Sequence, residues 1–336
     1  MFPYNLGSEF SPIKQTYNEQ SKMKEATFAI YNYNFLRIIE PNKQMQMEFP
    51  GWKAVEVEES FRNRQQLLGD ILQSDYQTPY QFENAQRKAY WHRQVVKPQD
   101  EVYVMRVANV TNVTITDEHL KSQDYADYRN CLVLIDNRPG IQRIAIECKT
   151  KAFSDTKTVA RILEASLCKL LREKLLKVKL TAVYGTNVFW NTLKDYPDGF
   201  RKVEFHFPPL NLERLTKVMA KHLNTAREDW DSALDVSFSA NEGGTVKIDP
   251  KNERQCALVK GASGAGTWIK MYPKGERRPR FCGKNQYVTA TIDKGVFVDM
   301  ESGQPVIPGV GVAPMDKVKL FMKQIPDIID KQDTTD

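Results

Sequence analysis

The 336-residue chain has a formal charge of +6, with 41% apolar and 27% charged residues, which is ordinary globular usage and excludes a wholly disordered chain. No stretch approaches the roughly 18 unbroken apolar residues of a bilayer span, and the first residues lack the basic-then-apolar order of a secretory signal. Five scattered cysteines without a C-x-x-C pair argue for a reducing compartment rather than a disulfide framework. The expectation is a cytoplasmic protein with no membrane partner.

A chain of this length exceeds one compact core. Residues 24–35 mix aromatic and β-branched side chains with partial alternation, the pattern of a half-buried strand. Phe61, Leu68, Ile71 and Leu72 fall at helical spacing across residues 58–73. Two strands are expected at 89–96 and 101–107, with a turn between them, and the polar stretch 111–125 reads as a loop or short helix. Apolar runs at 131–135 and 144–146 flank Asp136-Asn137-Arg138-Pro139-Gly140, a hairpin signal. Ser154 or Asp155 can cap the next helix, whose stripe runs from Val159 through Ile162, Leu163 and Leu167 to Leu171.

Strands and helices then alternate: a strand at 177–184, a helix at 186–195, a strand at 201–207 ended by Pro208-Pro209, a helix at 212–223 and a strand at 234–238. Glycine and proline become frequent after Gly243-Gly244, and a terminal helix is expected at 315–329. The expected class is α+β: mixed or antiparallel sheets with helices packed on one face, plus a small β-rich C-terminal module. The expected divisions are an N-terminal region at 1–118, a central region at 119–240 and a basic module at 241–336.

Charge is concentrated in one place. Residues 250–295 hold ten Lys or Arg against Glu253, Glu276 and Asp293, more than the whole chain's excess. Within them, Lys270, Lys274, Arg277, Arg278, Arg280 and Lys284 interleave with Tyr272 and Phe281, and Trp268 and Tyr287 flank the run. Cations can contact phosphates and aromatic faces can stack unpaired bases, so DNA or RNA is the expected partner of a non-enzymatic protein. The competing account is a solvated loop whose arginines pair with carboxylates, or a basic module that docks an acidic protein within a larger assembly.

Asp136 followed by Glu147-Cys148-Lys149 resembles the motif of the PD-(D/E)xK nucleases. That resemblance implies two carboxylates holding Mg²⁺ and a lysine orienting the attacking water. Asp136 closes its strand at the turn, far from Glu147. With the turn centred near Arg138 and Pro139, Asn130 faces Glu147, and Asp127 replaces Asp136 as the candidate metal ligand. The nuclease alternative therefore rests on Asp127, Glu147 and Lys149; without it no cofactor is expected. Residues 260–267 have the Gly-x4-Gly spacing of a phosphate loop but lack its lysine, and read as a helix end or loop. The four histidines show no metal-ligand spacing.

Overall fold

The computed structural model describes residues 25–38, 54–74, 80–83, 89–94, 99–139, 141–207, 234–264, 267–283, 287–293 and 313–332. In chain order the elements are β1 (Glu25–Arg37), α1 (Ala54–Arg62), α2 (Arg64–Ser74), β2 (Tyr80–Glu83), β3 (Ala89–Gln94), β4 (Val102–Thr116), β5 (Ser122–Asp136) and β6 (Arg143–Glu147). There follow α3 (Thr156–Leu170), β7 (Leu176–Ala182), α4 (Asn187–Lys194), β8 (Phe200–Phe207), β9 (Leu234–Ser239), α5 (Glu253–Gly264), β10 (Ile269–Pro273), β11 (Arg280–Cys282), β12 (Thr289–Asp293) and α6 (Ala313–Gln332). The expected helix at 212–223 and the Pro208-Pro209 stop lie outside the described residues.

The fold is α+β, with two antiparallel sheets. The larger has the order β12-β1-β6-β5-β4-β3-β2, and β7 adds to β1; the smaller has the order β11-β10-β8-β9. Strand β4 pairs with β5 across residue 118, β10 pairs with β8 across residue 240, and β12 returns to β1. The C-terminal residues thus serve both sheets.

Burial explains the sequence pattern of the large sheet. Every residue of β6 and the last six of β5 are buried, so both read as unbroken apolar runs rather than alternations. Tyr31, Tyr33, Tyr103, Met105, Val133 and Ile146 face α2 and α3, which supply Leu68, Leu72, Val159, Ile162 and Leu163. Phe28, Ile30, Val104, Leu134 and Ala145 face the other way, onto Val318, Phe321, Met322 and Ile325 of α6. Helices therefore cover both faces of this sheet, and the one-sided layer expected from sequence is found in the smaller sheet.

Asp155 caps α3 as expected, its carboxylate accepting the Lys157 N–H at 3.1 Å. One helical turn apart, Glu164 and Cys168 of α3 meet the outer edge of β7. Glu164 Oε2 accepts the Leu180 N–H at 2.8 Å, and Cys168 Sγ lies 3.3 Å from Val178 N. These contacts blunt an edge that would otherwise offer free backbone donors.

Stretch 111–125 is mostly strand, with only residues 117–121 forming the connecting turn. Strands β4 and β5 are 15 residues each and pair continuously from Val102↔Asp136 to Thr116↔Ser122. The outer half projects beyond the neighbouring strands with both faces in solvent, so no apolar alternation marked it. Its Thr and Val content favours extended backbone, and Thr114 Oγ1 donates to Asp124 Oδ1 at 2.6 Å across the pair.

A buried polar knot holds the hairpin turns beneath α2. Asn137 is fully buried; its Oδ1 accepts from Tyr33 OH at 2.7 Å, and its Nδ2 donates to Gln65 O and Glu101 Oε2, each at 2.8 Å. Removing one partner strands the others away from water. Asn137→Ala is expected to cost about 3 kcal/mol in urea unfolding, and Tyr33→Phe only about 1 kcal/mol, since the phenylalanine leaves a single acceptor unpaired. Equal losses in the two variants would contradict this hydrogen-bond account.

Candidate nucleic-acid interface

Strand β8, with the sequence FRKVEFHF, alternates from Lys202 to Phe207, after an irregularity in its pairing with β10 at Arg201. Val203, Phe205 and Phe207 turn inward with Ile269 and Met271 of β10, where Phe189 of α4 and Leu258, Val259 and Ala262 of α5 cover them. The intervening residues must face the other way. Lys202, Glu204 and His206 of β8, with Lys270 and Tyr272 of β10, therefore share the second face, which no described helix covers. The register Lys270↔Phe281 places Phe281 on that face too, and Trp268 enters it just ahead of β10.

The rings and charges on this face are organised. Trp268 stacks on His206 with centroids 4.9 Å apart and planes 6° from parallel, and Phe281 meets Trp268 nearly edge-on at 6.2 Å. The Lys270 ammonium lies 5.5 Å from the Trp268 centroid and 5.6 Å from those of Tyr272 and Phe281. Glu204 anchors the cations: Lys202 Nζ is 2.5 Å from one oxygen, Lys270 Nζ is 3.6 Å from the other, and Tyr272 OH donates to the latter at 3.1 Å. The hydrogen bond from Lys202, followed by that from Tyr272 and the nearby charges, holds the Glu204 carboxyl below the usual carboxylate range.

The expected binding residues are divided between surfaces. Lys270, Tyr272 and Phe281 share the ringed face, with Phe281 42% exposed. Arg277 and Arg278 are exposed in the turn between β10 and β11 and make no ion pair among the described residues. Lys274 is exposed and donates to Gly243 O at 3.0 Å. Arg280 points to the helix-covered side, bound to Glu276 at 2.9 and 3.2 Å and lying 5.6 Å from the Tyr196 ring. The neutralised-arginine account thus holds for Arg280 alone of the three. Lys284 lies outside the described residues.

Gly283 closes β11 with φ of +85°, and a β-carbon there would lie 2.3 Å from the Tyr184 ring. Both facts demand glycine. Tyr184 OH in turn donates to Thr267 O, which fixes the chain just ahead of Trp268. Between β7 and this end of the small sheet runs an open groove of about 460 Å³, lined by Lys157, Arg161, Lys179, Trp268 and Phe281 among others.

The carboxylates of the nuclease resemblance do not converge. Val133 faces Ile146, so the register puts Leu132, not Asn130, opposite Glu147. Glu147 is 6% exposed and spends its Oε2 on the Leu132 N–H at 3.0 Å. Asp127 sits five residues farther along β5, about 17 Å at a strand's rise, and its carboxylate binds Arg129 at 2.7 Å. Lys149 is exposed in the loop after β6. Asp136 is fully buried against Arg138 at 2.6 Å. Among the described residues no group of three or more His, Cys, Asp or Glu could hold a metal ion. The glycine-rich residues 261–264 form the last turn of α5, a helix end as expected.

Sequence reasoning left His206, Lys202 and Glu204 out of the site. The alternation of β8 carried the missing signal, since it sets these three on one face. The chain matches no protein-family model and no curated protein, and no described helix is long and apolar enough to cross a membrane.

A depressed carboxyl contributes stability that is full above its unfolded pKa, ~4.3 for Glu, and is lost as pH falls through the folded value. Glu204→Gln should therefore unfold more readily than the parent at pH 7, with the gap closing at an acid pH below the ordinary carboxylate range. Thermal unfolding at both pH values measures it, and a gap that widens in acid would contradict the assignment.

Proposed function

We propose that the ringed face of the small sheet binds single-stranded nucleic acid in a non-enzymatic role. One observation carries the reading: Lys270 sits within 5.6 Å of three aromatic centroids on a sheet face without a described helix over it. A splayed strand needs flat apolar surfaces for its bases beside cations for its phosphates. Trp268 and Phe281 offer the surfaces, Tyr272 a third, and Lys270, Lys202, Arg277 and Arg278 the charge. A duplex hides its base faces and could use only the cations. The groove beside Phe281, with Arg161 and Lys179 on its walls, continues the path off the sheet edge. The five free thiols suit a reducing, cytoplasmic setting.

The two kinds of contact predict different responses in fluorescence anisotropy with labelled single-stranded oligonucleotides. Trp268→Ala and Phe281→Ala should each weaken binding by about 1–3 kcal/mol, with little change in salt slope. Arg277→Ala with Arg278→Ala should weaken it across sequences and lower the slope of log K against log salt by about 0.7 per lost phosphate contact. Arg280→Ala should matter less, because that guanidinium is turned away and paired. Affinity at low salt that none of these changes alters would eliminate the reading. A preference for duplex would eliminate the stacking part.

A further inference from the structure

We propose that the projecting half of the β4–β5 hairpin is a dimerisation arm, which packs face to face and antiparallel on the same arm of a second copy of this chain. Strand β3 accompanies β4 only as far as Asn109, and β6 accompanies β5 only to Val133. Beyond them the arm is two strands wide, and a bare two-stranded ribbon is marginally stable in water.

Its apolar side chains are badly placed for a solitary arm. Ile115 is 56% exposed, Tyr125 50% and Leu120, at the tip, 85%. Leu120 also adopts φ of +61°, a left-handed conformation that leucine rarely takes. Val113 pairs with Tyr125 and Ile115 with Gln123, so Val113, Ile115 and Tyr125 form one apolar strip. The strip continues the face of the large sheet that α3 covers, since Tyr103, Met105, Val107, Cys131 and Val133 of the same strand parity belong to that core.

Charge names the occupant. The tip carries Asp117 and Glu118 against Lys121, with Asp117 Oδ1 accepting the His119 and Lys121 N–H groups, while the base of the same face adjoins the loop holding Lys149 and Lys151, tied in by Asn109 Nδ2 donating to Ala152 O at 3.2 Å. Along the arm the order is therefore a cationic base, a middle in which Val113, Ile115 and Tyr125 adjoin the internally paired Asp127 and Arg129, and a tip with one net negative charge. Laid antiparallel on a second copy, each acidic tip meets a cationic base and the two apolar strips meet at the two-fold axis. A surface that complements itself in this way fits an isologous dimer. Nucleic acid is the wrong occupant, because Asp117, Glu118, Asp124 and Asp127 outnumber Lys121 and Arg129 on the arm.

Sedimentation equilibrium of the full chain, without nucleic acid, from about 1 to 100 µM tests this. The chain should pass from monomer to dimer over that range, and a chain that stays monomeric throughout overturns the proposal. Ile115→Asp with Tyr125→Asp should remain monomeric while keeping the parent's circular dichroism; a dimer that persists in this folded variant equally overturns it. Lys149→Glu should weaken association about tenfold, and adding Glu118→Lys should restore it, a rescue that only opposed tip and base can produce.

Discussion

Three backbone hydrogen bonds at one point close the edge of the large sheet where β7 and β12 meet on β1. Ile30 N–H donates to Val288 O, Val288 N–H to Val183 O, and Val183 N–H to Ile30 O, at 3.0, 2.7 and 2.9 Å. Strands β7 and β12 both use the same edge of β1, one beside Tyr31–Arg37 and the other beside Glu25–Ala29, and this triangle closes the seam between them. The next residue, Tyr184, leaves the large sheet and enters the core of the small one, where its ring lies against Gly283. Sheet closure and placement of the small sheet are thus adjacent links of one chain segment.

The ringed face follows from that placement. Helices α4 and α5 supply the apolar cover for one side of the small sheet, and the chain has spent its C-terminal helix on the other face of the large sheet. The second face of the small sheet then carries the polar positions of β8 and β10. Their long side chains do not simply extend into water. Glu204 draws Lys202 and Lys270 inward over the aromatic rings, so the ammonium groups are held at fixed height beside flat surfaces. Such preorganisation lowers the side-chain entropy lost on binding a strand of phosphates and bases.

Much of the large sheet was legible in the sequence because its pattern is local. The runs Cys131–Ile135 and Ile144–Ile146 read as paired strands, and the stripe from Val159 to Leu171 read as a helix with its Asp155 cap, since each signal lies within a dozen residues. The hairpin register was harder. A shift of two residues separates the expected partner of Glu147, Asn130, from the observed one, Leu132, and that shift removes Asp127 from any role beside it. The connection is two residues longer than a turn centred on Arg138 and Pro139, so Asp136 pairs with Arg143 rather than Ile141, and a shift of two leaves every side chain on the same face. The arm at 111–125 went unread because alternation marks a strand only when one face is buried.

The sequence by itself determined the class of structure, the elements with strong periodicity, the cationic surplus near the C-terminus and the aromatic residues beside it. Those properties depend on residue type and short spacing. Only the tertiary structure decided which cations share a surface with which rings. Arg280 and Phe281 are neighbours in sequence but point to opposite sides of β11, whereas His206 and Trp268 are 62 positions apart and stack. Pleating sends adjacent side chains apart, and strand pairing brings distant ones together; neither can be read from a run of charge.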